Sequence, residues 1–122
     1  MIRFESFSKS FGAERAVSDL TLAVSPGEIV ALLGPNGSGK TTSLKAAAGL
    51  IHPTKGGVFV GDKGRPATEP GARLSLSFLP QKVSFPDSLT GREVLDFYRA
   101  LRGVPRERVD ACLLYTSPSP RD

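Results

Sequence analysis

The sequence predicts an α/β fold: an antiparallel β subdomain, a strand–loop–helix core, and the start of a helical subdomain, cut short. Three observations carry this. Leu20, Leu22 and Val24 alternate with Thr21 and Ala23, the period of a half-buried strand. Residues 29–33, Ile-Val-Ala-Leu-Leu, form an unbroken apolar run that leads through a glycine-rich loop into an alanine-rich segment. That pattern suits a strand buried on both faces and feeding a helix. Thr90 stands three residues before Glu93, and the segment they open carries one apolar stripe of Val94, Leu95, Tyr98 and Leu101.

The elements follow in order. Ile2, Phe4 and Phe7 predict a first strand over residues 2–8, and Gly12 a turn over 9–15. After the strand at 20–24, Ser25-Pro26-Gly27-Glu28 is a turn. The strand at 29–33 meets a loop at 34–39 with three glycines, then a helix over 40–50. Pro53, Gly56 and Gly57 break that helix, and residues 58–60 form a short strand. Gly64, Pro66, Pro70 and Gly71 make 62–73 a loop. Leu74, Leu76 and Phe78 predict a strand that ends at Pro80-Gln81. Gly103 stops the helix opened at Thr90, and Pro105 opens another. No repeat or linker interrupts residues 1–111, which read as one incomplete domain.

Composition narrows the function classes. With 122 residues, 39% hydrophobic and 23% charged, the chain has a globular balance rather than a disordered one. The unbroken apolar run at 29–33 has five residues and no run is longer, far short of the roughly 20 residues of a spanning helix. No secretory signal is read at the N-terminus, and one cysteine excludes an internal disulfide, so a cytosolic chain is expected. Net charge is +4, without a basic patch interleaved with aromatics, so no nucleic-acid partner is expected.

The chemistry lies in one loop. Gly34-Pro35-Asn36-Gly37-Ser38-Gly39-Lys40-Thr41 fits G-x-x-x-x-G-K-[ST] without a mismatch. A triphosphate is densely charged, and backbone N–H groups ring it only where no Cβ intrudes. The helix that follows points its N-terminal N–H groups at the phosphates. Lys40 reaches the β- and γ-phosphates as a point charge, and Thr41 offers a hydroxyl to Mg²⁺. The fold class is therefore a P-loop NTPase core with an antiparallel β subdomain and a truncated helical subdomain.

Residues 34–42, GPNGSGKTT, resemble the Walker A loop of ATP-binding-cassette (ABC) ATPases. Ser25-Pro26-Gly27-Glu28, Ala48-Gly49-Leu50-Ile51 and Pro53-Thr54-Lys55-Gly56-Gly57 resemble its flanks in that family. Phe78-Leu79-Pro80-Gln81 resembles the family's glutamine loop, and Leu89-Thr90-Gly91-Arg92-Glu93-Val94-Leu95 the opening of its helical subdomain. The resemblance implies an ATP-binding subunit of an ABC transporter, with ATP and Mg²⁺ as cofactors. It implies that Gly34, Pro35, Asn36, Gly37, Ser38, Gly39, Lys40, Thr41 and Thr42 bind the nucleotide, Thr42 near the α-phosphate. Phe11 stands where the family keeps a ring, more often Tyr, that stacks on adenine. Lys40 and Gln81 would serve catalysis, and Thr41 and Gln81 the metal. Gln81 would also report nucleotide state to the helical subdomain.

The implied partners are a membrane-spanning permease and a second ATP-binding subunit, docked head to tail around two ATP molecules. The subunit would sit in the cytoplasm, peripheral on the inner face of the membrane. Residues 89–103 look most like exporter-type subunits. The family's Walker B Asp-Glu pair, signature motif and switch histidine are not read in 1–111, so this chain is expected to bind nucleotide but not to hydrolyse it. Strands that would cover 29–33 are not read either, so marginal stability and exposed edges are expected. Residues 112–122 resemble the translation of a sequencing-library adaptor; the alternative is a Ser/Pro-rich disordered tail. Other function classes stay open: a soluble ABC ATPase of translation or DNA repair, another P-loop NTPase such as a GTPase or small-molecule kinase, and an idle nucleotide-binding fragment. His52 reads as a helix-end residue rather than a catalytic base.

Overall fold

A computed structural model describes residues 1–82 and 84–108. The predicted adaptor segment at 112–122 and the boundary at residue 111 lie outside the described residues. The chain separates into two compact units, Met1–Phe78 and the residues from Leu79 onward.

In the first unit, strands β1 (Ile2–Phe11), β2 (Glu14–Val24), β3 (Lys55–Val60) and β4 (Arg65–Pro66) form one antiparallel sheet in the order β2-β1-β3-β4. Helix α1 (Lys40–Ala47) joins the buried side of that sheet. Ala46 and Ala47 share a core with Phe4, Phe7, Val17, Val58 and Val60. Small residues on α1 let the helix approach the two phenylalanines, whose ring centroids lie 5.7 Å apart.

The β1–β2 hairpin is longer than the sequence predicts. Its turn is Gly12-Ala13 alone, since Phe11 pairs with Glu14; residues 9–11 and 14–15 belong to strands. A bulge between them explains why Phe4 and Phe7, three residues apart, are both buried, and a second bulge follows on β2. Glu5 and Ser6 stand opposite Thr21 alone, and Ser18 and Asp19 opposite Ser8 alone. Ser6 and Asp19 take positive φ of 45° and 51°. Their freed N–H groups donate to the Thr21 Oγ1 (3.1 Å) and the Ser8 Oγ (2.9 Å). Each extra residue is thus satisfied by the hydroxyl opposite it.

Three further expectations are corrected. Residues 29–33 are not a buried strand: they have no regular structure, and Ile29 and Leu33 are 99% and 90% exposed. A strand is held by its ladder, and all four described strands belong to the β2-β1-β3-β4 sheet, so nothing pairs with this run. No strand edge is therefore exposed at 29–33; what is exposed is the apolar side chains of Ile29 and Leu33. Residues 74–78 are not a strand either. Pro70 sets a 3₁₀ turn, Pro70–Ser75, that takes up Leu74 and Ser75; the Ser75 hydroxyl donates to the Ala72 carbonyl at 2.8 Å. Finally, α1 stops at Ala47 instead of residue 50. The Gly49 N–H turns back to the Ala46 carbonyl (3.1 Å) and the Leu50 N–H to the Lys45 carbonyl (3.0 Å), closing the helix. The strand predicted at 58–60 is present and begins earlier, at Lys55.

The second unit is built around α2 (Gly91–Arg102). The predicted capping box is present. The Glu93 N–H donates to the Thr90 Oγ1 (3.2 Å), and the Thr90 N–H to the Glu93 Oε1 (3.0 Å). Gly103 ends the helix, and residues 106–108 are helical after Pro105. The Thr90 backbone N–H, and secondarily the Thr90 side chain, hold the Glu93 carboxyl below the ordinary glutamate range. A depressed folded pKa means stability that is present above the unfolded value and lost as pH falls through the folded one. Helicity at 222 nm is therefore expected to fall across that acid window more in the native chain than in Glu93→Gln, whose amide keeps the box without titrating. Superimposable acid titrations of the two would refute this.

Candidate functional site

The glycine loop joins the sheet to α1. Gly39 precedes the helix at φ 91°, and a Cβ there would lie 2.7 Å from the Ala16 carbonyl oxygen and 2.8 Å from the Val17 Cγ2. The loop can thus press against β2 only with glycine at this position. No side chain caps α1, and its first turn holds no acidic residue. The first helical bond, from the Ser43 N–H to the Gly39 carbonyl, is 2.9 Å. The preceding N–H groups of the first turn are left to an anion or to water.

Lys40 folds back over the loop. Its ammonium donates to the carbonyl oxygens of Gly34 and Pro35 (2.7 Å to Pro35) and to the Ser38 Oγ (3.1 Å). All three donors of the ammonium are in use, and the charge sits at the mouth of the loop.

Beside this lies a cleft of about 530 Å³. Seven residues singled out in the sequence line it: Phe11, Asn36, Gly37, Gly39, Lys40, Thr41 and Thr42. Gly34, Pro35 and Ser38 face the Lys40 ammonium instead. Glu14, Arg15 and Ala16 also line the cleft, which the sequence reading missed. That reading made 9–15 a single turn; the short hairpin carries Glu14 to the position opposite Phe11. Spacing alone does not reveal a two-residue turn, although Gly12, first in the turn at φ 62°, is a signal for one. Gln81 belongs to the second unit and is exposed there, whereas the cleft residues all belong to the first.

Among the described residues, no group of three or more His, Cys, Asp or Glu side chains could hold a metal ion. Thr41 brings one hydroxyl to the cleft. Mg²⁺ commonly keeps several waters and takes the rest of its ligands from substrate phosphates, so a single hydroxyl fits it as a protein ligand. No helix among the described residues is long and apolar enough to cross a membrane.

Residues 17–116 match the family described as ABC transporter. That range includes the first residues of the predicted adaptor segment, Cys112 to Thr116. The chain is 38% identical over 113 residues to the zinc import ATP-binding protein ZnuC of Pseudomonas aeruginosa, covering 93% of this chain and 38% of that protein. It is 40% identical over 95 residues to the carnitine transport ATP-binding protein OpuCA of Listeria monocytogenes, covering 76% of this chain and 24% of the relative. The chain thus spans well under half the length of these relatives. A solved structure described as an ATP-binding subunit of an ABC transporter aligns with TM-score 0.79 and 27% identity, over 88% of this chain and 45% of that one.

Proposed function

This chain belongs to the ABC transporter family, and from that premise we propose that its cleft takes the triphosphate and adenine of ATP. The observation that carries the proposal is the convergence of Phe11, Lys40, Thr41 and Thr42 on one cleft at the N-terminus of α1. In this reading the loop and the first turn of α1 bind phosphate through backbone N–H groups. Lys40 exchanges its carbonyl partners for β- and γ-phosphate oxygens. Thr42 lies by the α-phosphate, and Phe11 stacks on the base. Mg²⁺, held by phosphate oxygens, water and the Thr41 hydroxyl, supplies charge neutralisation when bound. Gln81 is the residue that would contact the metal or the attacking water and report nucleotide state.

The whole subunit, in the same proposal, is the ATPase of a transporter. It pairs with a second ATP-binding subunit and drives a membrane-spanning permease from the cytoplasmic side. The exporter-type reading is carried by residues 89–103 alone; the zinc and carnitine relatives are named for import and for transport.

Calorimetric titration of the chain with MgATP tests the site. Binding is expected, and Phe11→Ala is expected to weaken it about 5- to 150-fold, the usual range for losing a base–aromatic stack. Phe11→Tyr, which keeps the ring, is expected to bind as the native chain does. Inorganic tripolyphosphate, which has no base, is expected to bind the native and Phe11→Ala chains alike. An absence of binding by either ligand overturns the proposal.

A further inference from the structure

One face of the Phe11 ring is occupied. The Lys9 ammonium lies 5.1 Å from the Phe11 ring centroid, within cation–π range. The same ammonium donates to the His52 carbonyl at 2.8 Å. That carbonyl is itself held in place. The Thr54 N–H donates to the Ser8 carbonyl (2.9 Å), and the Ser10 N–H to the Thr54 Oγ1 (3.0 Å), so the segment after α1 is clasped along the end of β1. The order in space is therefore the His52 carbonyl, the Lys9 ammonium and the Phe11 ring, with the ring lining the cleft.

We propose that Lys9 is a positioning residue for base binding: it seats one face of Phe11 and leaves the other to the nucleobase. This rests on the cleft being the nucleotide site. Phe11 is 52% exposed, so packing alone does not hold its ring in one orientation. A cation anchored to a backbone carbonyl does so from one side. It also draws π-electron density away from the cleft face, which favours stacking with an electron-rich purine. Among the described residues the Lys9 ammonium meets the His52 carbonyl and the Phe11 ring, so its charge acts at the base end of the ligand.

The test compares MgATP with inorganic tripolyphosphate on the full chain. Lys9→Gln keeps an amide donor for the His52 carbonyl and removes the charge. It is expected to weaken MgATP binding about two- to fivefold, the scale of an exposed cation–π contact, and to leave tripolyphosphate binding unchanged. Lys9→Arg is expected to restore the native preference. In a Phe11→Ala background, Lys9→Gln is expected to have no further effect on MgATP. A purely structural Lys9 would weaken both ligands alike and persist in that background, and either result overturns the proposal. Native affinities for both ligands in Lys9→Gln overturn it as well, with the nucleotide site left standing. If the native chain binds neither ligand, the nucleotide reading falls and this inference with it.

Discussion

Lys40→Met is expected to lower the affinity of the chain for MgATP by roughly a hundredfold or more. Each charge-assisted hydrogen bond to a phosphate oxygen contributes about 1.5–3 kcal/mol, and in the proposed site Lys40 makes two. The fold is expected to stay. The three groups that Lys40 holds in the free chain, the Gly34 and Pro35 carbonyls and the Ser38 hydroxyl, belong to exposed residues, so water can replace the ammonium. Calorimetry with MgATP should therefore show the loss, while the denaturant midpoint moves little. Lys40→Arg is not expected to rescue binding, because a planar guanidinium does not replace a compact ammonium at the end of this loop. A Lys40→Met chain that binds MgATP within threefold of the native one would remove Lys40 from the phosphate site.

The second large effect is on the fold. Gly56 lies in β3 at φ 71°, directly beside the β1 bulge. A Cβ at this position would lie 2.1 Å from the Ser6 carbonyl oxygen and 2.3 Å from that of Glu5. Both obstacles are backbone, so no side chain can swing aside. Gly56→Ala also forces an L-residue into the left-handed region, which alone costs about 1–2 kcal/mol. The bulge cannot retreat easily, since the Ser6 N–H is tied to Thr21 on its other side. The expected loss is roughly 3 kcal/mol or more, a large share of the stability of a small domain. Urea unfolding followed by circular dichroism measures it; a midpoint unchanged from the native chain would show that β1 and β3 separate at little cost.

Much of the site could be read from the chain because its signals are local. The glycine-rich loop, Lys40 and Thr41 follow one another in sequence, and the requirements of a phosphate cradle can be met by neighbours. The capping box at Thr90 and Glu93 is equally local, and both of its hydrogen bonds are present. Glu14, Arg15 and Ala16 were not legible because their place in the cleft depends on a two-residue turn and on the pairing of Phe11 with Glu14. The Lys9–Phe11–His52 arrangement depends on a contact between segments 43 residues apart. No periodicity encodes such a contact.

The strands divide along the same line. Alternation in 20–24 predicted a strand, and β2 contains it. The same alternation in 74–78 and the unbroken apolar run in 29–33 also marked segments suited to strands, yet neither is one here. Apolar character records what a segment can bury, whereas a strand also needs a neighbour to complete its hydrogen bonds. The spacing of Phe4 and Phe7 likewise made sense only with the bulge between them, in which Thr21 satisfies the extra residue across the ladder. By itself, then, the sequence determined the glycine-rich loop, the caps and the apolar segments, since each follows from side-chain chemistry within a few residues. Only the tertiary structure decided which segments became strands, where the hairpin turned and what stands behind Phe11. Those outcomes depend on hydrogen-bond partners and ring contacts supplied by distant parts of the chain.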